Sequence, residues 1–266
     1  MTQFFNFILR PFENGQAHAG LILVSVITGT VMLFLFKLTS NQQAMKEVKT
    51  RISAYFLEMR LYKEDMSVVI ASQRNILRAN MVYMKLALIP ALVMIVPVIL
   101  IMVQLNLRYA QTGFRPGDTA MVKVKVEEGI DAVKNRVALR AAQGIEKASP
   151  AVRIPSLNEV DWKVRLTDNG VHDLTLETAG GDFTLPVYAT ARLVPVYAMF
   201  KKASFWETVF NPGAPRIPDA VPIKSVEILY PKMSFSWGFI HLSWLWSFLI
   251  ISMAFGMILK FVFGVE

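Results

Sequence analysis

The chain has 266 residues, of which 54% are hydrophobic, and carries a formal net charge of +8 at pH 7. Its mean hydropathy of +0.42 is high for a soluble protein. There is no cysteine, which excludes disulfides and thiolate chemistry. Basic residues can indicate nucleic-acid binding, but in a membrane protein they mostly set topology, so we expect no DNA partner.

Three uncharged runs, residues 19–36, 86–106 and 233–259, contain much of the apolar sequence. An α-helix rises 1.5 Å per residue, so about 20 apolar residues cross a ~30 Å hydrocarbon core. We therefore predict a membrane α-helical protein with transmembrane helices at 19–38, 85–107 and 233–266, the last including a short cytoplasmic tail. Buried helices of a soluble protein are the alternative, which three such runs disfavour. Basic residues mostly follow the first run, and no clear cleavage site follows it. Both observations favour a retained anchor over a signal peptide.

The distribution of charge predicts the orientation. Residues 37–85 hold nine Lys and Arg against four acidic residues, whereas only Arg10 and Glu13 are charged before the first run. Cytoplasmic loops carry the excess of basic residues. We expect a multi-pass protein of the inner (cytoplasmic) membrane, with the N-terminus outside and the C-terminus in the cytoplasm.

Residues 1–18 precede the first predicted span. The stretch QFFNFILRPF at residues 3–12 would place four apolar side chains near one another on a helix. Such a helix can lie in the membrane interface. A frayed tail is the equally weighted alternative.

Residues 39–84 predict a cytoplasmic helical hairpin. Residues 40–84 lack Gly and Pro, and apolar residues recur every three or four positions, which is amphipathic helix patterning. Both ends must return to the same membrane face, which places a turn at about residues 63–67. Its candidate basic contacts, for ribosomal RNA or anionic lipid, are Lys46, Lys49, Arg51, Arg60, Lys63, Arg74 and Arg78. The alternative is that the loop is basic only because topology requires it.

The second predicted span contains Pro90 and Pro97. Each proline removes a helix hydrogen bond and favours a kink. A bent helix beside a cavity is one interpretation. Ordinary packing is the favoured one, since membrane helices tolerate proline.

Residues 108–232 predict an extracytoplasmic, mostly-β, sandwich-like domain. Valines alternate with lysines at 122–126, and Val160, Trp162 and Val164 alternate with polar residues, which is typical of strands with one buried face. Asn169-Gly170 predicts a hairpin turn between the strand containing Trp162 and the next strand. Gly180-Gly181 predicts a second turn. Trp162 is expected in the core.

The third predicted span has Trp237, Trp244 and Trp246 near one end and Lys260 near the other. Tryptophan belts mark membrane interfaces. Ser243, Ser247 and Gly256 are small enough to let another helix approach.

Catalytic chemistry has no obvious carrier in the sequence. His18, His172 and His241 are far apart and form no metal-binding spacing, and the nucleotide-binding and nucleophile-elbow motifs are missing. We therefore expect that the protein is not an enzyme and that it binds no cofactor and no metal.

The segment KLTSNQQAMKEVK at residues 37–49, the helical hairpin and KLALIP at residues 85–90 resemble the core of the YidC-type membrane insertase superfamily. The resemblance is closest to its short branches, the archaeal homologues and the third subunit of the endoplasmic reticulum membrane protein complex. It covers residues 19–106 and, in topology, 239–264. Two departures are the position of the β-domain, which bacterial YidC carries before its core, and the absence of two of the five core helices.

The resemblance implies a non-enzymatic membrane protein insertase or chaperone that uses a polar groove between its helices. The candidate groove residues are Lys37, Ser25, Thr28 and Thr30; alternatively, Lys37 is an interface anchor and the hydroxyls bond within their own helix. The implied partners are the lipid bilayer, nascent membrane proteins and the ribosome. The alternative function is a non-catalytic subunit of a larger membrane complex that docks through its β-domain onto other membrane subunits. A ligand-binding accessory protein ranks last, since no convergent polar site is visible.

Overall fold

The computed structural model describes residues 2–127 and 137–263. The chain divides into two compact units. The helical unit comprises Leu21–Ile101 and Leu245–Glu266, and the sheet unit comprises Met1–Gly20 and Met102–Trp244. The helices are α1 (Thr2–Leu9), α2 (Ala17–Thr39), α3 (Gln42–Leu61), α4 (Met66–Tyr109), α5 (Phe205–Phe210) and α6 (Trp244–Phe263).

Three of these helices, α2, α4 and α6, are long and apolar enough to cross a membrane. Between them, α3 and the first part of α4 follow one another around a turn at residues 62–65. Asp65 caps α4, because its Oδ1 accepts hydrogen bonds from the backbone N–H and hydroxyl of Ser67. Across the turn, the Ser72 hydroxyl donates to Glu58 Oε2 at 2.9 Å. The predicted turn is confirmed to within about two residues.

The predicted boundary between the hairpin and the second span at residues 84/85 is not the end of a helix. The second hairpin helix and the second span are one helix of 44 residues. No Gly or Pro interrupts residues 66–84, so nothing in this stretch stops the helix. Pro90 and Pro97 lie inside α4, and their kinks remain a prediction.

Within residues 2–127 and 137–263, the sheet unit contains eleven strands. They are β1 (Thr119–Val126), β2 (Ala138–Ala141), β3 (Ile145–Lys147), β4 (Val152–Ile154), β5 (Glu159–Leu166), β6 (Gly170–Thr178), β7 (Gly181–Ala189), β8 (Met199–Lys201), β9 (Ile223–Ile228), β10 (Ser234–Trp237) and β11 (Ile240–Ser243). One sheet has the order β3–β5–β1–β9–β8, with β4 also paired to β5, and a second has the order β2–β6–β7. The strands β10 and β11 form a separate hairpin.

The two larger sheets share one hydrophobic core, as expected for a sandwich-like domain. Val122 and Val124 of β1 are fully buried in it together with Leu174 and Leu185 of the second sheet. The alternation of buried and exposed residues along β1 and β5 follows the predicted pattern. Trp162 is buried in this core, which confirms its predicted place.

The predicted hairpin around Asn169-Gly170 is wrong. β5 pairs with β1 on one side and with β3 and β4 on the other. Because both edges of β5 are occupied, β6 crosses to the second sheet and pairs with β2 and β7. The second predicted turn is confirmed, since β6 and β7 form a hairpin closed by Thr178 and Gly181.

The predicted start of the third span at residue 233 is also wrong. Residues 234–243 form the β10–β11 hairpin, and α6 begins at Trp244. Trp237 therefore lies on a strand and not at the end of a helix. The reason is a period of two in residues 234–237, where serine alternates with Phe235 and Trp237, which suits a strand with one apolar face.

The N-terminal segment forms α1 and a short 3-10 turn at Arg10–Phe12, which agrees with the helical alternative and not with the frayed tail. Its place in the membrane interface stays a prediction. Residues 1–18 are not a separate domain, however, because they belong to the sheet unit. The backbone N–H of Leu193 donates to the carbonyl of Glu13 at 3.0 Å. The Arg108 guanidinium donates to the side-chain oxygen of Asn6. These hydrogen bonds join the segment to the predicted β-domain.

Candidate functional site

A groove with a volume of about 810 Å³ lies among α2, α4 and α6 of the helical unit. Its walls are formed by Thr28, Gly29, Met32, Leu33, Phe36, Met94, Val98, Trp246, Phe248, Leu249, Ile250, Ser252, Met253, Gly256, Met257 and Lys260. Gly29 allows α2 and α6 to approach closely, because a Cβ there would lie 2.7 Å from the carbonyl oxygen of Ser252. A Cβ at Gly256 would meet the Gly29 carbonyl oxygen at 3.9 Å, which is an ordinary van der Waals distance.

The groove wall is apolar and rich in methionine, whereas the resemblance implied a polar groove. Met32, Met94, Met253 and Met257 all line it. The hydroxyl of Thr28 donates within its own helix to the Val24 carbonyl at 2.7 Å. Lys260 is the one charged residue among the described lining residues. The wall therefore presents flexible apolar side chains with a single cation.

Of the four predicted groove residues, the structure places Thr28 alone on this wall. Ser25 is buried and donates to the Leu21 carbonyl at 2.7 Å, and the exposed Thr30 donates to the Val26 carbonyl at 2.9 Å. These hydrogen bonds to backbone carbonyls agree with the alternative interpretation, in which the hydroxyls bond within their own helix. Lys37 Nζ lies 3.4 Å from the carbonyl oxygen of Phe263, where a cation is favoured by the C-terminal end of α6.

Sequence reasoning missed the groove residues that the structure shows. Met253 and Met257 are four positions apart and therefore share a helix face. That spacing was a usable signal, but in an apolar helix it does not distinguish a groove wall from a lipid-facing surface. Pro90 and Pro97 are not on the described wall; α4 contributes Met94 and Val98 instead.

The basic set on α3, α4 and the turn between them is largely accessible. Lys46, Arg51, Arg60, Lys63, Arg74 and Arg78 are exposed, and Lys49 is half-buried. Apolar side chains around the turn, among them Leu61, Tyr62 and Met66, are exposed beside them. Hydrogen bonds from the Ser67 hydroxyl and the Val68 and Ser67 backbone N–H groups hold the pKa of Asp65 below its usual value. The turn thus combines cations, exposed apolar groups and an ionised capping carboxylate.

A third feature lies in the sheet unit. Phe205, Trp206 and Phe210 of α5 are exposed, and the ring of Trp206 lies 5.4 Å from that of Phe205 and 6.0 Å from that of Phe210. We call these three residues the α5 aromatic cluster. Exposed aromatic patches of this kind are typical of interaction surfaces.

The fold and these sites define a protein with three helices long and apolar enough to span a membrane, joined to a separate β-sheet region. No family model, curated protein or solved structure shows a significant match to the chain.

Proposed function

We propose that this protein is a YidC-like membrane protein insertase or chaperone that holds an apolar segment of its substrate in the methionine-lined groove. The groove itself carries the proposal. A helix with side chains is about 10 Å across, so two turns occupy roughly 800 Å³, which is close to the groove volume of about 810 Å³.

The chemistry of the wall suits a changing set of substrates. Methionine is unbranched and adapts its shape, which is why it is common on surfaces that bind many apolar partners. Met32 and Met94 come from different helices, so the wall can adjust on both sides. A groove of this kind gives an apolar segment protein contacts before it is released to lipid.

The remaining parts of the proposal concern topology. The basic hairpin would lie in the cytoplasm, where its exposed cations contact the ribosome or the emerging chain through phosphates or acidic groups. The N-terminus and the sheet region would lie outside the inner membrane. Lys260 would then mark the cytoplasmic end of the groove, since basic residues are favoured on that side.

Site-specific photo-crosslinking tests the groove with a matched pair of positions. Met257 and Ile258 are neighbours on α6 and are 57% and 59% exposed, but Met257 alone lines the groove. A photoreactive residue at 257 should form adducts with nascent membrane proteins, whereas one at 258 should react mainly with lipid. Lipid adducts alone at both 257 and 32 would contradict the proposal.

The α5 aromatic cluster favours a second candidate, a non-catalytic subunit that docks onto other membrane proteins through the sheet region. Burying aromatic side chains supplies much of the energy of protein interfaces. Here a stoichiometric partner should copurify with the full chain and be lost when Phe205 and Trp206 are both replaced by serine. Serine at the exposed Val152 and Leu157 provides the control, and groove crosslinks that persist without any partner would count against this candidate.

A further inference from the structure

The segment immediately before α6 is an amphipathic hairpin. In the β10–β11 pair, Phe235 lies opposite Leu242 and Trp237 lies opposite Ile240. Residues directly opposite one another in an antiparallel pair share a face. These four residues therefore form an apolar face, and the other face carries Ser234, Ser236, His241 and Ser243.

The turn of this hairpin presents an apolar tip. Gly238 has a φ of +65°. Phe239 does not have a positive φ, because Asn158 is the one non-glycine with that conformation among the described residues. A two-residue turn with glycine first is typical of type II′. Such a turn does not require an aromatic residue after the glycine. Phe239 is nevertheless fully exposed, and Ile240 beside it is 59% exposed.

The base of the hairpin is fixed to the end of α4. The backbone N–H of Met233 donates to the carbonyl of Ala110 at 3.1 Å, and that of Thr112 donates to the carbonyl of Pro231 at 2.9 Å. The ring of Phe235 lies 5.9 Å from that of Tyr109, the last residue of α4. The apolar face is therefore covered by protein at its base.

The start of α2 contacts the same face. The ring of His18 packs edge-on against Phe235 at 5.0 Å and against Trp237 at 5.3 Å. His18 is the second residue of α2, and all these residues belong to the sheet unit. The hairpin thus lies against the end of α4 and the start of α2, and its last strand continues into α6. Successive spans alternate in direction, so these three helix ends belong to one membrane face.

We infer that the tip of this hairpin, Phe239 and Ile240, inserts into the boundary between headgroups and acyl chains of the phospholipid bilayer at that face. Phenylalanine and leucine side chains of interfacial segments are buried at the boundary between headgroups and acyl chains, and contacts to the helix ends hold the hairpin there. Residues 233–243 contain no Asp, Glu, Lys or Arg, so the tip offers no charge to a protein partner. The serines opposite the apolar face suit the headgroup side. This anchoring does not depend on the insertase function.

The test uses single-cysteine labelling, because the chain has no cysteine of its own. The full chain with Phe239→Cys, labelled with an environment-sensitive nitrobenzoxadiazole dye, is placed in nanodiscs of phosphatidylcholine and phosphatidylglycerol. The matched control is Ser236→Cys on the polar face of the same hairpin. Nanodiscs leave both membrane faces open to aqueous quenchers, so orientation does not affect the comparison.

At position 239 we expect a blue-shifted emission, strong quenching by lipids with a nitroxide near the top of the acyl chain, and protection from aqueous iodide. Position 236 should show the opposite pattern. Water-like emission and iodide quenching at 239 equal to that at 236 would overturn the inference. A blue shift at 239 without quenching by the nitroxide lipids would also overturn it, since the tip would then be covered by protein.

Discussion

The ionised carboxylate of Asp161 on β5 destabilises the sheet unit. Its Oδ1 is buried and has no hydrogen-bond partner among the described residues. Burial first, and then the neighbouring Glu159 carboxylate, raises the pKa of Asp161, while Lys123 opposes the shift. Glu159 itself is nearly buried and lies 3.7 Å from Lys123 Nζ and 3.9 Å from Lys125 Nζ. The two lysines therefore form ion pairs with Glu159 and not with Asp161.

Asp161→Asn should stabilise the protein at neutral pH, by about 0.5–1 kcal/mol because solvent screens a partly exposed group. A raised pKa means that the folded state binds the proton more tightly than the unfolded state. The cost of the ionised Asp161 is fully present above the raised pKa and disappears as pH falls through it towards the unfolded value. Thermal unfolding of the full chain in detergent should therefore show an advantage that shrinks on acidification. Asp173→Asn, at an exposed position of β6, is the control, and an equal gain there would contradict the explanation.

At the scale of elements, the contact between α2 and α6 depends on Gly29. A Cβ at this position would lie 2.7 Å from the Ser252 carbonyl oxygen, a backbone atom that cannot move alone. Gly29→Ala should therefore separate the helices. Alanine regains about 1 kcal/mol of helix propensity, against an overpacking cost of about 1–3 kcal/mol, so we expect a net loss of about 1 kcal/mol.

Gly256→Ala is the matched control for this contact, because its Cβ would meet the Gly29 carbonyl oxygen at 3.9 Å. This variant keeps the propensity gain without the overlap and should be at least as stable as the parent. Unfolding in mixed detergent micelles, followed by circular dichroism, measures both variants. Equal stability of the two alanine variants would show that Gly29 is not the point of closest approach.

Elements were predicted well where the pattern was local and poorly where the outcome depended on distant partners. The apolar runs and the alternation around Trp162 predicted helices and strands. The pairing of β5 was not predictable, since its edges are taken by strands from elsewhere in the chain. Hydropathy alone places residues 233–243 in the third span, because it does not separate an uncharged strand from a helix. The groove wall was missed for a similar reason, since which face of an apolar helix meets its neighbours is decided by packing.

At the scale of the whole molecule, the proposed orientation assumes that basic residues in the short loop determine membrane topology more strongly than those in the long sheet region. The sheet region from 108 to 232 carries 17 Lys and Arg, more than the nine between residues 37 and 85. Long domains cross the membrane largely regardless of charge, so the short basic loop should decide. Counting every basic residue equally would predict the opposite orientation, and the two alternatives can be separated by experiment.

Single cysteines at Ser53 and Thr167 decide between these orientations. Both positions are exposed, whereas Ser72 is buried and bonded to Glu58 and is unsuitable. With an impermeant maleimide applied to intact spheroplasts, Cys at 167 should be labelled at once, and Cys at 53 should react only after the membrane is permeabilised. Parallel labelling in detergent confirms that both thiols are reactive. If position 53 reacts from outside, the basic hairpin cannot meet ribosomes or nascent chains in the cytoplasm, and the insertase proposal fails, while anchoring of the Phe239 tip remains a separate question.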